Sequence, residues 1–197
     1  MKRIVIVALI MALKSASVFA QSDTLLIGEN QKFIYYQVVS QPDLPADTLY
    51  NRGLLFLQKA YGKDRLKFFK ADKAKLTLNA TGGVLVSKRS MIAMHEDASV
   101  SFNLVMELKD SRYRYWFTDF IVSPYERDRY ANYVPVAGKN YPLEKGSTKL
   151  NEQDYKGYLT MVTANCRDVG TMLKSYMQFK AAPQKDKKKN AVVPKEW

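Results

Sequence analysis

Two runs of alternating residues, Ser99 to Lys109 and Arg112 to Val122, flank the polar dipeptide Asp110–Ser111. So short a polar step between two such runs predicts a β-hairpin closed by a two-residue turn. Facing residues in that hairpin carry numbers that sum to 221. Lys109 then opposes Arg112, Leu108 opposes Tyr113, and Glu107 opposes Arg114. Met106 meets Tyr115, Val105 meets Trp116, and Leu104 meets Phe117. Because side chains alternate between faces, Val100, Phe102, Leu104, Met106 and Leu108 share one face with Tyr113, Tyr115, Phe117 and Ile121. That is a core face. The other carries Ser101, Asn103, Val105, Glu107 and Lys109 with Arg112, Arg114, Trp116, Thr118 and Phe120. A slip of one residue would bury Arg114 and Glu107, which fixes the register.

The segment "RYRYWF" has the basic and aromatic composition of a nucleic-acid contact, but the alternation takes it apart. Tyr113 and Tyr115 point inward, and Arg114 has a cross-strand partner in Glu107, a pair worth roughly 0.2–1 kcal/mol. Nucleic-acid readout is therefore disfavoured. The residues left as binding candidates are Arg112, Trp116 and Phe120, with Val105 beside them. Left open, this patch marks an interaction site. The tyrosine- and proline-rich segment 124–146 is long enough to fold back over it, and covering is the expected outcome.

Elsewhere the chain reads as strand, helix, four strands, helix. "KFIYYQVVS" from Lys32 is a strand by its aromatic and β-branched content. "DLPADTLYNRGLLFLQKAYG" is a helix, with Pro45 in its first turn, Asp43 or Asp47 as cap, and Gly62 as stop. Tyr50, Leu54, Leu57 and Tyr61 form its buried stripe. The connector "KDRLKFFKADKA" fits either a strand or a helical extension. "KLTLN" and "VLVSKR" are two short strands joined at "ATGG", since adjacent glycines suit a hairpin turn. "NEQDYKGYLTMVTANCRDVGTMLKSYMQF" is the final helix, its seam running through Tyr155, Leu159, Val162, Cys166, Val169, Leu173 and Tyr176. The order β-α-β-β-β-β-α predicts an α+β domain, an antiparallel sheet with helices packed on one face.

Residues 1–20 have the three parts of a secretory signal: a basic start at Lys2 and Arg3, an apolar stretch Ile4 to Leu13, and small residues Val18 and Ala20 before the cut. Ten apolar residues are too few to span a bilayer, so no transmembrane segment is expected in a mature chain beginning at Gln21. Residues 21–180 then form a single domain, and 181–197 a Lys-rich, Pro-interrupted tail expected to be disordered. The full chain has 31 basic and 19 acidic residues, a net charge of +12; losing the three basic residues of the signal leaves +9. Part of this excess sits in the tail, which suits contact with acidic lipid headgroups or polysaccharide.

Cys166 is the one cysteine and His95 the one histidine. An intramolecular disulfide and a cysteine metal cluster are both excluded. His95 in "MHED" cannot converge with Glu96 and Asp97 on one ion from a regular element, and reads as a surface loop residue. Cys166, on an apolar seam, reads as a small buried hydrophobe. No phosphate loop, dinucleotide fingerprint or zinc-protease motif occurs, so no cofactor, metal or catalytic residue is nominated.

The helix "DTLYNRGLLFL" and the hairpin "ELKDSRYRYWFTDF" resemble motifs of a secreted, Bacteroidetes-type bacterial family of domains of unknown function with a TBP-like fold. Tyr50 fits the tyrosine of its first helix, where Phe56 stands in place of the usual tryptophan. Gly82 and Gly83 fit its glycine-marked hairpin. Lys109 to Tyr115 fit its "KDGRYRY"-type turn, with Ser111 replacing the usual glycine. The resemblance spans about residues 30–123. It implies a sheet-and-helix domain outside the cytoplasm and no activity. Two function classes follow: a non-enzymatic module that binds a protein, glycan or lipid surface, and, as the alternative, a hydrolase or small-ligand carrier.

Overall fold

The computed structural model describes residues 24–60, 66–89 and 93–178, so the signal segment, the basic tail, and the expected stripe residue Tyr61 and helix stop Gly62 lie outside the described residues. Its strands are β1 (Leu26–Ile27), β2 (Phe33–Ser40), β3 (Leu66–Asp72), β4 (Thr77–Arg89), β5 (Met94–Lys109), β6 (Arg112–Arg127), β7 (Tyr133–Pro135) and β8 (Tyr141–Pro142). Helix α1 (Ala46–Leu55) runs on into a wider turn at Phe56–Ala60. A short α2 (Gly146–Lys149) precedes the long α3 (Glu152–Gln178). The strands form one antiparallel sheet in the order β1-β2-β6-β5-β4-β3, with β7 and β8 both pairing to β6. The α+β reading holds.

The central hairpin has the register that the turn imposes. Every predicted pair from Lys109–Arg112 to Leu104–Phe117 is present. The inward residues Val100, Phe102, Leu104, Met106, Leu108, Tyr113, Tyr115 and Phe117 are buried. Both α1 and α3 pack on this face and against each other. Helix α3 is buried along Tyr158, Val162, Cys166, Val169, Leu173 and Met177, while Tyr155, Leu159 and Tyr176 flank that line as half-buried contacts. Burial pushes the Cys166 thiol well above its ordinary value, as an apolar seam dictates. Helix α1 buries Leu49, Tyr50 and Gly53, its wider turn buries Phe56 and Leu57, and Leu54 is half-buried. A Cβ on Gly53 would stand 2.8 Å from Leu78 Cδ1 and 3.1 Å from Met177 Cε, so its bare backbone lets α1 touch sheet and α3 together. The Arg52 guanidinium donates to the Met177 carbonyl, meeting an orphan acceptor at the end of α3.

Three expectations are corrected. "ATGG" is not a turn: Thr77 to Arg89 is one strand, paired to β5 along its length and to β3 on the other side. Neither Gly82 nor Gly83 takes a positive φ. The turn lies earlier, between Asp72 and Thr77, where Leu76 carries φ +51° and Asp72 Oδ1 accepts from the Lys75 N–H at 3.0 Å. The ambiguous connector supplies β3, so four strands, β3 to β6, still follow α1 in succession. Secondly, "MHEDA" belongs to β5, not to an irregular loop. Thirdly, neither Asp43 nor Asp47 caps α1. The Ala46 N–H instead donates to Asp110 Oδ1 at 2.8 Å, so the turn of the central hairpin caps the helix.

Candidate functional site

The face of the sheet opposite the helices is built from cross-strand rows. One row runs Tyr36, Trp116, Val105, Asn79; the next runs Val38, Arg114, Glu107, Thr77; the rung nearest the turn holds Ser40, Arg112 and Lys109. β2 enters this surface through its own alternation. Tyr35 and Gln37 are buried on the core side, while Tyr36 and Val38 point the other way, 37% and 40% exposed. Sequence reading assigned β2 as a strand but missed these two residues as part of the site. Their position follows from the pairing of β2 with β6, a contact about eighty residues apart that local pattern does not encode.

Arg114 is fixed in this surface. Its Nη2 and Nε lie 2.5 Å and 2.7 Å from Glu107 Oε2. Hydrogen bonds to Glu107, and next to Tyr36, raise its basicity further. Its Cζ stands 5.6 Å from the Trp116 ring centre, a cation–π contact. Trp116 also leans on Tyr36, with centroids 6.3 Å apart and planes tilted by 36°. Trp116 is half-buried by these neighbours. Arg112 and Lys109 are exposed, and among the described residues neither forms an ion pair. Together Tyr36, Val38, Glu107, Lys109, Arg112 and Arg114 line a shallow depression of ≈ 190 Å³.

Phe120 does not belong to this surface. Asp119 takes φ +55°, and the register shifts between Ser101–Ile121 and Asn103–Thr118. Two residues of β6 thus oppose Phe102 alone, a β-bulge that reverses the alternation beyond it. Phe120 and Val122 turn into the core, fully buried, and Ile121 is only half-buried. The Phe120 ring lies 6.1 Å from that of Phe102. A signal exists in the sequence: Phe117, Phe120 and Val122 make an apolar series whose phase changes at "TDF", and Asp is among the residues that tolerate the left-handed region. The Asp119 carboxyl is held below its ordinary value by Lys32, 2.5 Å away, with Asn103 Nδ2 donating at 3.1 Å.

The expected cover is elsewhere too. In segment 124–146, β7 pairs with Tyr125–Arg127 and β8 with Ile121–Val122, at the end of β6 away from Trp116. There Tyr133 stacks on His95, with ring centres 4.9 Å apart, so His95 is a half-buried strand residue and not a loop residue.

Among the described residues, no three His, Cys, Asp or Glu side chains cluster as metal ligands. The carboxyls with displaced values, Asp119 and Asp154, are both held low by a lysine, the reverse of what a general acid needs. Asp97 accepts from the Tyr158 hydroxyl at 2.6 Å, which ties α3 to β5. Burial, then Asp97, push Tyr158 far above its ordinary value. No helix among the described residues is long and apolar enough to cross a membrane.

Residues 35–123 match the family described as a domain of unknown function (DUF4468) with TBP-like fold. A solved TBP-like protein from Parabacteroides distasonis is similar at a TM-score of 0.60 and 17% identity, over 77% of this chain and 96% of that one. A DUF4468 family protein from Bacteroides ovatus is similar at 0.56 and 12% identity, over 79% and 91%. Curated proteins offer no match. At such identities the two structures speak for the fold alone, and over residues 35–123 the chain resembles the DUF4468 family with its TBP-like fold.

Proposed function

We propose that the protein is an exported, non-enzymatic binding module whose open sheet face, around Arg112 and Trp116, receives its partner. One observation carries this reading: Tyr36 and Val38 stand 37% and 40% exposed on a sheet face that, among the described residues, carries no helix, next to two cations that find no ion-pair partner there. Apolar exposure rimmed by charge is the mark of an interaction surface. Phe120, being buried, is left out of the site. Export rests on the three-part layout of residues 1–20, and the single domain over 21–180 with a basic tail at 181–197 completes the proposed organisation. The partner classes that suit a basic envelope module are protein, glycan and lipid surface.

The test uses the full chain expressed in a Gram-negative host. N-terminal analysis of exported material should find Gln21; retention of Met1 would defeat the export reading. The mature protein and a Tyr36→Asp/Val38→Lys variant are then used to capture partners from an envelope extract. A partner held by the parent and lost by the folded variant supports the open face. Equal capture by both overturns it.

A further inference from the structure

We infer that the depression beside the hairpin turn binds a side-chain carboxylate of an acidic polypeptide segment, clasped between Lys109 and Arg112. The inference rests on the open-face reading and names its ligand. Lys109 and Arg112 face each other directly on the first rung after the turn, and both are exposed. Like charges in that relation destabilise a hairpin. No carboxylate among the described residues forms an ion pair with either of them. The third cation of the depression, Arg114, is already neutralised by Glu107. A local rule is therefore broken at one rung while the adjacent rung obeys it, and such breaches concentrate where a ligand supplies the missing partner.

The rest of the depression decides the class of ligand. At ≈ 190 Å³ it has room for a side chain. A carboxylate can bridge the Arg112 fork and the Lys109 ammonium with charge-assisted hydrogen bonds. Tyr36 and Val38 offer an apolar wall to the neighbouring residue of an extended peptide. A sugar ring would want a bare aromatic platform. The Trp116 ring is instead occupied by the Arg114 guanidinium and flanked by Tyr36. A lipid surface would want a broad cationic field, whereas Glu107 lies in the middle of this one.

The experiment uses the full mature chain carrying Trp197→Phe, so that Trp116 is the one tryptophan reporter. Its fluorescence is titrated with an alternating Glu-Val dodecapeptide, a Lys-Val dodecapeptide, polygalacturonate, and phosphatidylglycerol vesicles. The Glu-Val peptide should bind and the Lys-Val peptide should not. Added salt should weaken binding, as for exposed charges. Lys109→Ser/Arg112→Ser should weaken it about tenfold or more, the loss expected for charge-assisted contacts, while Lys139→Ser leaves it unchanged. The double variant should melt no lower than the parent, since it removes a repulsion; if it fails to fold, Arg112→Gln alone serves. Glu-Val binding indifferent to these substitutions overturns the inference. So does binding of polygalacturonate or vesicles in place of the peptide, although the open face then survives. Silence of Trp116 towards all four probes also overturns it, and the Tyr36→Asp/Val38→Lys capture then decides separately whether the open face stands.

Discussion

The two halves of β6 obey the same chemistry and give opposite lessons. From Arg112 to Thr118 the strand alternates without interruption, odd residues inward and even residues outward. From Phe120 onward the parity is reversed, and Phe120 and Val122 are the buried residues. The difference is one residue, Asp119, in the left-handed region at φ +55°. Pleat geometry propagates parity along a strand without loss, so a single inserted residue changes the face of everything after it. The first half thereby keeps a charged and aromatic surface for outside contact. The second half deepens the core with Phe120 while Asp119, at the bulge, binds Lys32 and Asn103.

Truncating one ring from each half should show the two halves of β6 behaving differently. Phe120→Ala removes a fully buried ring packed near Phe102 and should cost about 3–5 kcal/mol. Trp116→Ala removes a half-buried ring from the open face and should cost clearly less. Urea unfolding of both variants measures the two values. Equal costs, or a larger loss at Trp116, would mean that the parity of β6 does not reverse at Asp119.

The same contrast explains what was legible in the sequence. Register near the turn could be read because a two-residue connection leaves one alignment, and because a slip would bury Glu107 and Arg114. The seam of α3 could be read because its helical period runs unbroken for 27 residues. The misreadings of turn and bulge share one cause. Positive φ was sought at glycines, yet Gln31, Asp43, Leu76, Ser111, Asp119 and Ala131 all carry it, while Gly82 and Gly83 do not. Hence "ATGG" looked like a turn, the turn at Leu76 was invisible, and the bulge at Asp119 went unseen. Tyr36 and Val38 were missed for a different reason, because the neighbour that places them on the open face is distant in sequence.

A middle-sized effect sharpens the role of the regular half. The turn at Asp110–Ser111 does more than close the hairpin. The Ser111 N–H donates to the Leu44 carbonyl at 2.9 Å, the Gln41 N–H donates to the Ser111 carbonyl at 2.8 Å, and Asp110 caps α1. Asp110→Ala leaves the Ala46 N–H without its acceptor and removes a negative charge from the helix N-terminus. A loss of about 0.5–2 kcal/mol is expected. Asp110→Asn, which keeps an acceptor, should recover part of it. If chemical denaturation places both variants level with the parent, the cap contributes nothing, and the hairpin and α1 are held together by the apolar core alone.

The smallest effect lies at the bulge, and its sign can be worked out. The Asp119 carboxyl is held below its ordinary 3.8, first by the hydrogen bond from Lys32. A carboxyl depressed in the folded state adds stability above its unfolded value and loses it as pH falls through the lower, folded one. The contribution should therefore be whole at neutral pH, begin to fade below about pH 4, and be gone once the folded carboxyl is protonated. Because this side chain is 37% exposed, solvent and salt screen the pair and keep the effect small. Asp119→Asn suits the test, since Asn also tolerates the left-handed backbone, so the bulge and the parity of Phe120 should persist. Urea midpoints of the parent should exceed those of the variant slightly at pH 7, and the gap should narrow as pH falls below about 4. A gap that stays constant across that range would assign the difference to the amide itself and not to the charge pair. A gap that widens in acid would mean that folding raises the affinity of the Asp119 carboxyl for its proton. In either case, loss of Phe120 packing in the variant, seen as a drop far larger than a surface pair allows, would show that the carboxylate also holds the bulge open.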